Sequence, residues 1–297
     1  VFDEKGNKID FTGYRADCIN DFAIEYVNNY NDDKPFFMFI SQLEPHHQND
    51  RGHFEGPMET VEKYRDYPIP EDLSFLDGDY KEEYPDYIAA INRLDENVGK
   101  LVETLKNKGI YDNTVIIYTS DHGCHFKTRN IEYKRSCHDS CIHTPLVFGG
   151  GAIMKTGNKD NLVSLVDIPP TLLALAGISV PETYSGNILP VNDKDTTERE
   201  CVFIQISESQ VGRAIRTKKW KYSARAIGSG WHKPCAVHYF DDFLYDLEND
   251  PCEKNNLVNN ENYAKILSQM RTLLAREMVN AGEKMPVFHK PLKVKKY

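Results

Sequence analysis

Long hydrophobic runs are missing from this chain. No apolar stretch nears the roughly 20 residues that a membrane-spanning helix needs, so no membrane partner is expected. Positive charge is in deficit: 36 Lys and Arg stand against 45 Asp and Glu, a formal net charge of −9. Such a chain has no general attraction for nucleic acid or anionic lipid. An anionic substrate would need local positive charge or a metal ion to offset the field. No Gly-rich phosphate loop is present, and there is no internal repeat or low-complexity tract. The seven Cys include no Cys-x-x-Cys pair. Odd in number and scattered, they do not read as a disulfide framework and lean towards a reducing compartment, with secretion or a periplasmic location left open. Val1 is not an initiator, so the lack of a signal-peptide pattern carries no weight.

What is present suits one large domain or two small ones: 297 residues, 40% hydrophobic and 27% charged. The chain is organised around Thr119–Pro145. A short apolar run, Thr114–Tyr118, reads as a buried strand. The chain then turns at Ser120-Asp121-His122-Gly123, crowds polar and ionisable residues, and closes on a second apolar run, Leu146–Phe148. Ligands gather at the carboxyl ends of strands in open α/β sheets. An Asp-His pair leaving such an end offers a metal a hard oxygen and a neutral nitrogen. From these residues alone, metal ligation by Asp121 and His122 and a turn Asp capping the next segment are both open.

Before that stretch, Asp17–Tyr30 has the spacing of an amphipathic helix. Phe36–Ile40 reads as a strand with apolar residues on both faces, as in a covered parallel sheet. Residues 48–84 read as a long loop with a short helix. Pro85–Lys108 carries one apolar stripe (Ile88, Ile91, Leu94, Val98, Leu101, Val102, Leu105), with Pro85 suited to a first turn and Gly109 to a cap. Strand, helix and strand imply a parallel βαβ unit. After the central stretch come a helix ending at Gly177, an irregular link over 178–200, four short β-type runs, and a final helix over Tyr263–Ala281 with a basic tail at the surface. The expected fold is α/β: a mostly parallel sheet flanked by helices over residues 1–190, then a small antiparallel C-terminal subdomain over 200–297.

Ser120-Asp121-His122-Gly123, followed by Lys134-x-Ser136-x-His138-Asp139 and Pro145, resembles the sulfatase family of the alkaline phosphatase superfamily. Three further segments extend the likeness in the family's order: Phe36–Ile40 leading to Pro45-His46, Val166–Gly177, and Leu244–Pro251. Together they run from about Phe11 to Val258. The resemblance implies an alkaline-phosphatase-like fold, N-terminally incomplete, and hydrolysis of a sulfate ester, of a small molecule or a carbohydrate. It implies a divalent metal at Asp121 and His122, Ca²⁺ by family habit, with Mg²⁺, Mn²⁺ or Zn²⁺ open because imidazole is a softer ligand. It gives Lys134 a place against the sulfate, where the residues alone favour a solvated loop Lys beside Arg135. It gives His46 the role of sulfate contact or general acid, with His47 the competing neighbour. His138, Arg213 and His232 are weaker candidates for substrate contact, and His143 reads as scaffold.

One departure stands out. The family's nucleophile motif, Cys/Ser-x-Pro-x-Arg, whose Cys or Ser becomes formylglycine, occurs nowhere in this sequence. The Asp-Asp metal ligands of the family's first strand are also missing. The chain is therefore expected to be the central and C-terminal part of a sulfatase, inactive by itself, with a companion N-terminal segment completing the site. Two other functions stay open: a phosphodiesterase or phosphonate monoester hydrolase of the same superfamily, and a relative that binds sulfated glycans without cleaving them. A rival zinc reading uses Cys124, His125, Cys137, His138, Cys141 and His143. A Ser-His-Asp triad from three consecutive residues is ruled out by geometry.

Overall fold

Sequence periodicity and structure agree best where a helix must bury one face. The computed structural model describes residues 2–3, 5–153, 156–191, 198–228 and 230–292. In chain order the elements are α1 (Arg15–Asn29), α2 (Met58–Val61), α3 (Glu71–Ser74), α4 (Tyr80–Asn107), β1 (Ile116–Thr119), α5 (Asp139–Ile142), β2 (Leu146–Gly149), α6 (Ile168–Leu175), β3 (Val202–Ile206), β4 (Val211–Arg216), β5 (Trp220–Ala226), β6 (His238–Asp246), α7 (Ala264–Asn280) and β7 (Val287–His289). They fall into two units, Val1–Pro70 with Asp77–Tyr118 and Val147–Met154, and Glu71–Leu76 with Thr119–Leu146 and Lys155–Tyr297. These units cut the chain at places other than the 1–190 and 200–297 division expected from the sequence. No described helix is long and apolar enough to cross a membrane.

In the first unit α1 packs on α4. Ala16, Asn20, Ala23 and Val27 recur at helical spacing and are buried. Asp17 joins the two helices: its carboxylate takes an ion pair from Arg93 at 2.8 Å and a hydrogen bond from Asn97 at 2.9 Å. Helix α4 starts at Tyr80, so Pro85 lies in its second turn, not its first. At the helix start Glu82 and Glu83 bond the Asp79 carbonyl. Of the expected stripe, Leu94 and Leu105 are buried and the others half-buried; small Ala89 and Ala90 go deeper. The long loop is tied to α4 through Phe54 N–H to Glu83 (2.7 Å) and Gly56 N–H to Asp86 (2.9 Å).

Phe36–Ile40 departs from expectation. It has the alternation of a strand, with Phe37 74% and Phe39 81% exposed and the residues between them half-buried. Yet among the described residues it joins no ladder. A strand exists only where a second chain segment answers its N–H and C=O groups, and the sequence of one segment cannot supply that. The βαβ unit is therefore not closed at this segment, while β1 and β2 do pair as neighbours.

The second unit is built on a five-stranded sheet in the order β3-β4-β5-β6-β7. Strands β3 to β6 are antiparallel, as the turn-separated β-type runs suggested, and β7, which the sequence did not signal, lies parallel to β6. Period-2 alternation splits β5. Trp220, Tyr222 and Ala224 join the core under α7, against Met270, Leu274 and Met278. Lys221 and Ser223 therefore face the other way. That second face is covered by the central stretch: Cys137 packs with Ile206 and Ala214, and the His138 ring lies 4.9 Å from Phe243, edge to face. Irregular chain seldom lies on a sheet face unless something pins it. Here the pin is ionic. Lys221, fully buried, donates to Asp139 and to Glu253, the latter at 2.6 Å. Glu253 also accepts the Asp139 backbone N–H at 2.7 Å, and Arg216 reaches Asp139 at 3.2 Å. From residue 293 onward the basic tail falls outside the described residues, as do residues 192–197 of the link.

Removing one partner from such a cluster strands buried charge. Lys221→Met, which keeps the volume and deletes the ammonium, is expected to cost about 3–5 kcal/mol, read as a lower urea midpoint at unchanged slope. A loss below about 1 kcal/mol would show that the cluster is not an obligate anchor.

Candidate active site

The turn after β1 is fixed from both ends. Thr119 Oγ1 donates to the Pro145 carbonyl at 2.9 Å, and Gly123 N–H to Cys141 O at 2.7 Å. A Cβ on Gly123 would stand 2.1 Å from Ser140 O, so only glycine lets the two backbones pass. Asp121 is 82% exposed at its side chain and accepts the His122 N–H at 2.9 Å. The His122 ring sets its Nδ1 2.9 Å from Gly123 O. A carbonyl can only accept, so Nδ1 carries the hydrogen. Toward Nε2 come Lys134 Nζ at 2.9 Å and Asp121 Oδ2 at 3.3 Å. The structure thus brings together three of the residues expected to act: Asp121, His122 and Lys134.

Lys134 is held through its backbone. His125, fully buried, places Nε2 3.2 Å from Lys134 O, which also accepts from Asn130 at 3.1 Å. The next residue, Arg135, takes a left-handed φ of 63° and turns the chain down onto the sheet. There Ser136 Oγ contacts His138 Nδ1, and His138 Nε2 lies 3.1 Å from the Tyr245 hydroxyl. Burial holds the His138 imidazole well below its ordinary pKa, helped by the nearby Arg129 charge. Burial pushes Asp139 upward, but Lys221 and Arg216 outweigh it and keep the carboxyl below its usual range. Glu253, with more burial than compensation, is raised.

Several expected site residues take other roles. His138 is buried under the sheet and does not present itself to a substrate; it is a wedge between the central stretch and β6. Arg213 is buried too, its guanidinium taken by Glu283 at 2.5 Å and by the Gly212 and Pro234 carbonyls at 2.7 Å each. It closes the C-terminal sheet. His232 is exposed in the β5–β6 connection, and His143 is exposed beyond α5. His46 and His47 belong to the first unit. His46 sets Nδ1 2.6 Å from His47 O, so its exchangeable chemistry runs through Nε2. His47 is half-buried, edge-on to Phe54. The residues that sequence reasoning passed over are Asp139, Lys221, Glu253 and Arg129, whose guanidinium donates to the Cys252 and Glu253 carbonyls at 3.0 Å.

The donor set can be tested against a divalent cation. His122 has one ring nitrogen against a carbonyl, and its other nitrogen lies beside both the Asp121 carboxylate and the Lys134 ammonium. Asp121 and His122 fit as two ligands; among the described residues no group of three or more His, Cys, Asp or Glu side chains converges for a metal. The same finding leaves the cysteine–histidine zinc set unassembled. Two of its thiols, Cys137 and Cys141, are buried, Cys137 being pushed up to about 12 by desolvation, which opposes the thiolate that zinc requires.

Comparison with known proteins decides the family. The family model described as "Sulfatase" matches residues 4–178, and that described as "N-sulphoglucosamine sulphohydrolase, C-terminal" matches residues 130–280. The chain belongs to the sulfatase family. Among sulfatases it is similar to the N-acetylglucosamine-6-O-sulfatase of Bacteroides thetaiotaomicron, 29% identical over 66% of this chain and 35% of that protein. It is 28% identical to the uncharacterized sulfatase YidJ of Escherichia coli over 92% of this chain and 57% of that one. The chain thus spans between about a third and three fifths of these relatives. A solved structure bound to its substrate D-glucosamine-2-N,6-O-disulfate superposes with a TM-score of 0.71, at 22% identity over 95% of this chain and 72% of that one. The fold is accordingly that of the alkaline-phosphatase-like sulfatases, with helices, a paired β1–β2 and a small C-terminal sheet.

The buried His138 gives a pH dependence whose sign follows from its depressed pKa. Below pH 6.5, the ordinary imidazole value, the unfolded chain takes up a proton that the folded chain refuses. The stability due to neutral His138 is therefore complete above pH 6.5 and falls as pH drops, by at most about 1.4 kcal/mol per pH unit. Imidazole NMR should find the His138 ring titrating below the ordinary imidazole value. A midpoint at 6.5 or above would contradict its burial.

Proposed function

We propose that the protein of which these residues form a part hydrolyses a sulfate ester of a carbohydrate, an amino sugar being the favoured class. The observation that carries the reading is the convergence of Lys134 Nζ and Asp121 Oδ2 on His122 Nε2, at 2.9 and 3.3 Å, in a chain of the sulfatase family. The names of the relatives support the substrate class: one is an N-acetylglucosamine-6-O-sulfatase, and one solved neighbour holds a glucosamine disulfate.

In such a hydrolysis a nucleophile oxygen bonds sulfur as the bond between sulfur and the sugar oxygen breaks, the sugar oxygen takes a proton, and the sulfur leaves as sulfate with an oxygen that derives from water. Negative charge builds on the sulfate oxygens and on the departing oxygen. Lys134 supplies a fixed positive charge whose backbone is held by His125 and Asn130, so little reorganisation is needed as that charge develops. Asp121 and His122 would hold a divalent cation, Ca²⁺ by resemblance with Mg²⁺, Mn²⁺ or Zn²⁺ as alternatives, which supplies further charge neutralisation when bound. His46 is proposed as general acid on the resemblance, acting through Nε2. The nucleophile is proposed to be a formylglycine outside these residues, since no Cys or Ser here stands in a Cys/Ser-x-Pro-x-Arg context.

The test uses the full-length protein and a 6-sulfated glucosamine, with a phosphodiester as the competing substrate. Lys134→Ala is expected to lower kcat about 10²–10³-fold, the usual loss for one preorganised charge donor, and Asp121→Ala to remove turnover. Preference for the phosphodiester would favour the other branch of the superfamily; binding without turnover would favour a glycan-binding relative. Residues 1–297 alone are expected to show no turnover of an aryl sulfate. Turnover by that pure chain, abolished by Asp121→Ala, would refute the external nucleophile.

A further inference from the structure

One exposed aromatic in the second unit is held too firmly for an idle surface residue. Trp231 is 67% exposed, in the connection between β5 and β6. Its neighbour Gly230 bridges Glu208, and a Cβ there would meet Glu208 O at 2.6 Å and Gln210 O at 2.7 Å. Only glycine lets the connection dock so closely. Glu208 itself adopts a left-handed φ of 67°, an uncommon state for a non-glycine residue. The docked connection sets the Trp231 ring 5.8 Å from the Arg135 guanidinium. Arg135 is in turn clamped: Glu132 at 2.6 Å, a contact to Glu208, and its carbonyl accepting from Gln210 at 2.9 Å.

Arg135 follows Lys134 directly in the chain. We infer that Trp231, Arg135 and Glu208 form a platform for a pyranose ring of a carbohydrate substrate, one residue along the chain from Lys134, the proposed sulfate contact. The chemistry is that of sugar recognition. An indole offers a flat apolar face to the C–H side of the ring. Glu208, 44% exposed at its side chain, offers acceptors to ring hydroxyls, and Arg135 offers donors. One Arg between two carboxylates makes the cluster net acidic by one charge, so it is suited to hydroxyls, not to a second sulfate. The sulfate is left to Lys134. The platform would thus distinguish a sulfated oligosaccharide from a small aryl sulfate carrying the same ester.

This inference rests on the carbohydrate sulfatase reading, and two measurements keep the two separable. The first is tryptophan fluorescence of the 297-residue chain, titrated with a sulfated glucosamine oligosaccharide. With only Trp220 and Trp231 present, saturable quenching should appear in the native chain and vanish in Trp231→Ala. The second is steady-state kinetics of the full-length protein. Trp231→Ala should raise KM for the oligosaccharide about tenfold more than KM for an aryl sulfate, the loss of one aromatic contact, and Trp231→Phe should recover most of it. Quenching without any turnover keeps the platform and removes the hydrolase. Turnover with an unchanged KM ratio, quenching undiminished in Trp231→Ala, or neither binding nor turnover overturns the platform.

Discussion

A lysine with no exposed surface holds this structure's functional stretch in place. Lys221 lies on β5 between two residues that face α7, so alternation sends it to the opposite face, where Asp139 and Glu253 receive it. Taking three charges out of water costs several kcal/mol per ion, and mutual attraction recovers that cost only if every group is paired. Here it is: Lys221 and Arg216 balance two carboxylates, and Glu253 uses its second oxygen on the Asp139 N–H. A cluster of this kind adds little net stability over an apolar replacement. Its effect is positional, because any other seating of the central stretch would leave a buried charge alone.

From that anchor the chemistry follows in short steps. Asp139 starts α5, whose Ser140 and Cys141 carbonyls face Gly123. Gly123 is the acceptor that orients His122, and His122 meets Lys134. Lys134 is held by the buried His125, and four residues after it His138 is wedged against β6. The Gly123 and Lys134 backbones are therefore tied to the buried Cys141 and His125, while Asp121 stays largely exposed. That is the division of labour an electrostatic site needs: fixed charges on a rigid support, open to an incoming anion.

Much of this was legible in the sequence. The helices α1, α4, α6 and α7 and strands β3 to β5 lie where periodicity and turn residues put them, and the family likeness brought out Asp121, His122 and Lys134. The failures share one cause: a pattern shows which residues share a face, not whether that face is covered. Phe36–Ile40 alternates as a strand should, yet has no ladder partner among the described residues, and its large aromatics stand exposed. Lys221 alternates as a surface residue should, yet it is fully buried. Arg213 and His138 carry the chemistry of ligand contacts but are spent on Glu283 and Tyr245, partners 70 and 107 positions away in the chain. Strand β7 is three residues long and too short to leave a periodic signal.

The central claim is that Gly123–Cys141 belongs to the core of its unit although it contains little regular structure. Native-state hydrogen exchange measures this directly, at the amides of Gly123, His125 and Cys141, which bond Cys141, Tyr133 and His138 carbonyls at 2.7–2.8 Å. The account predicts that these amides open with the same free energy as those of β5, in one cooperative unit. Exchange at the rates of an exposed loop, with β5 still protected, would contradict it.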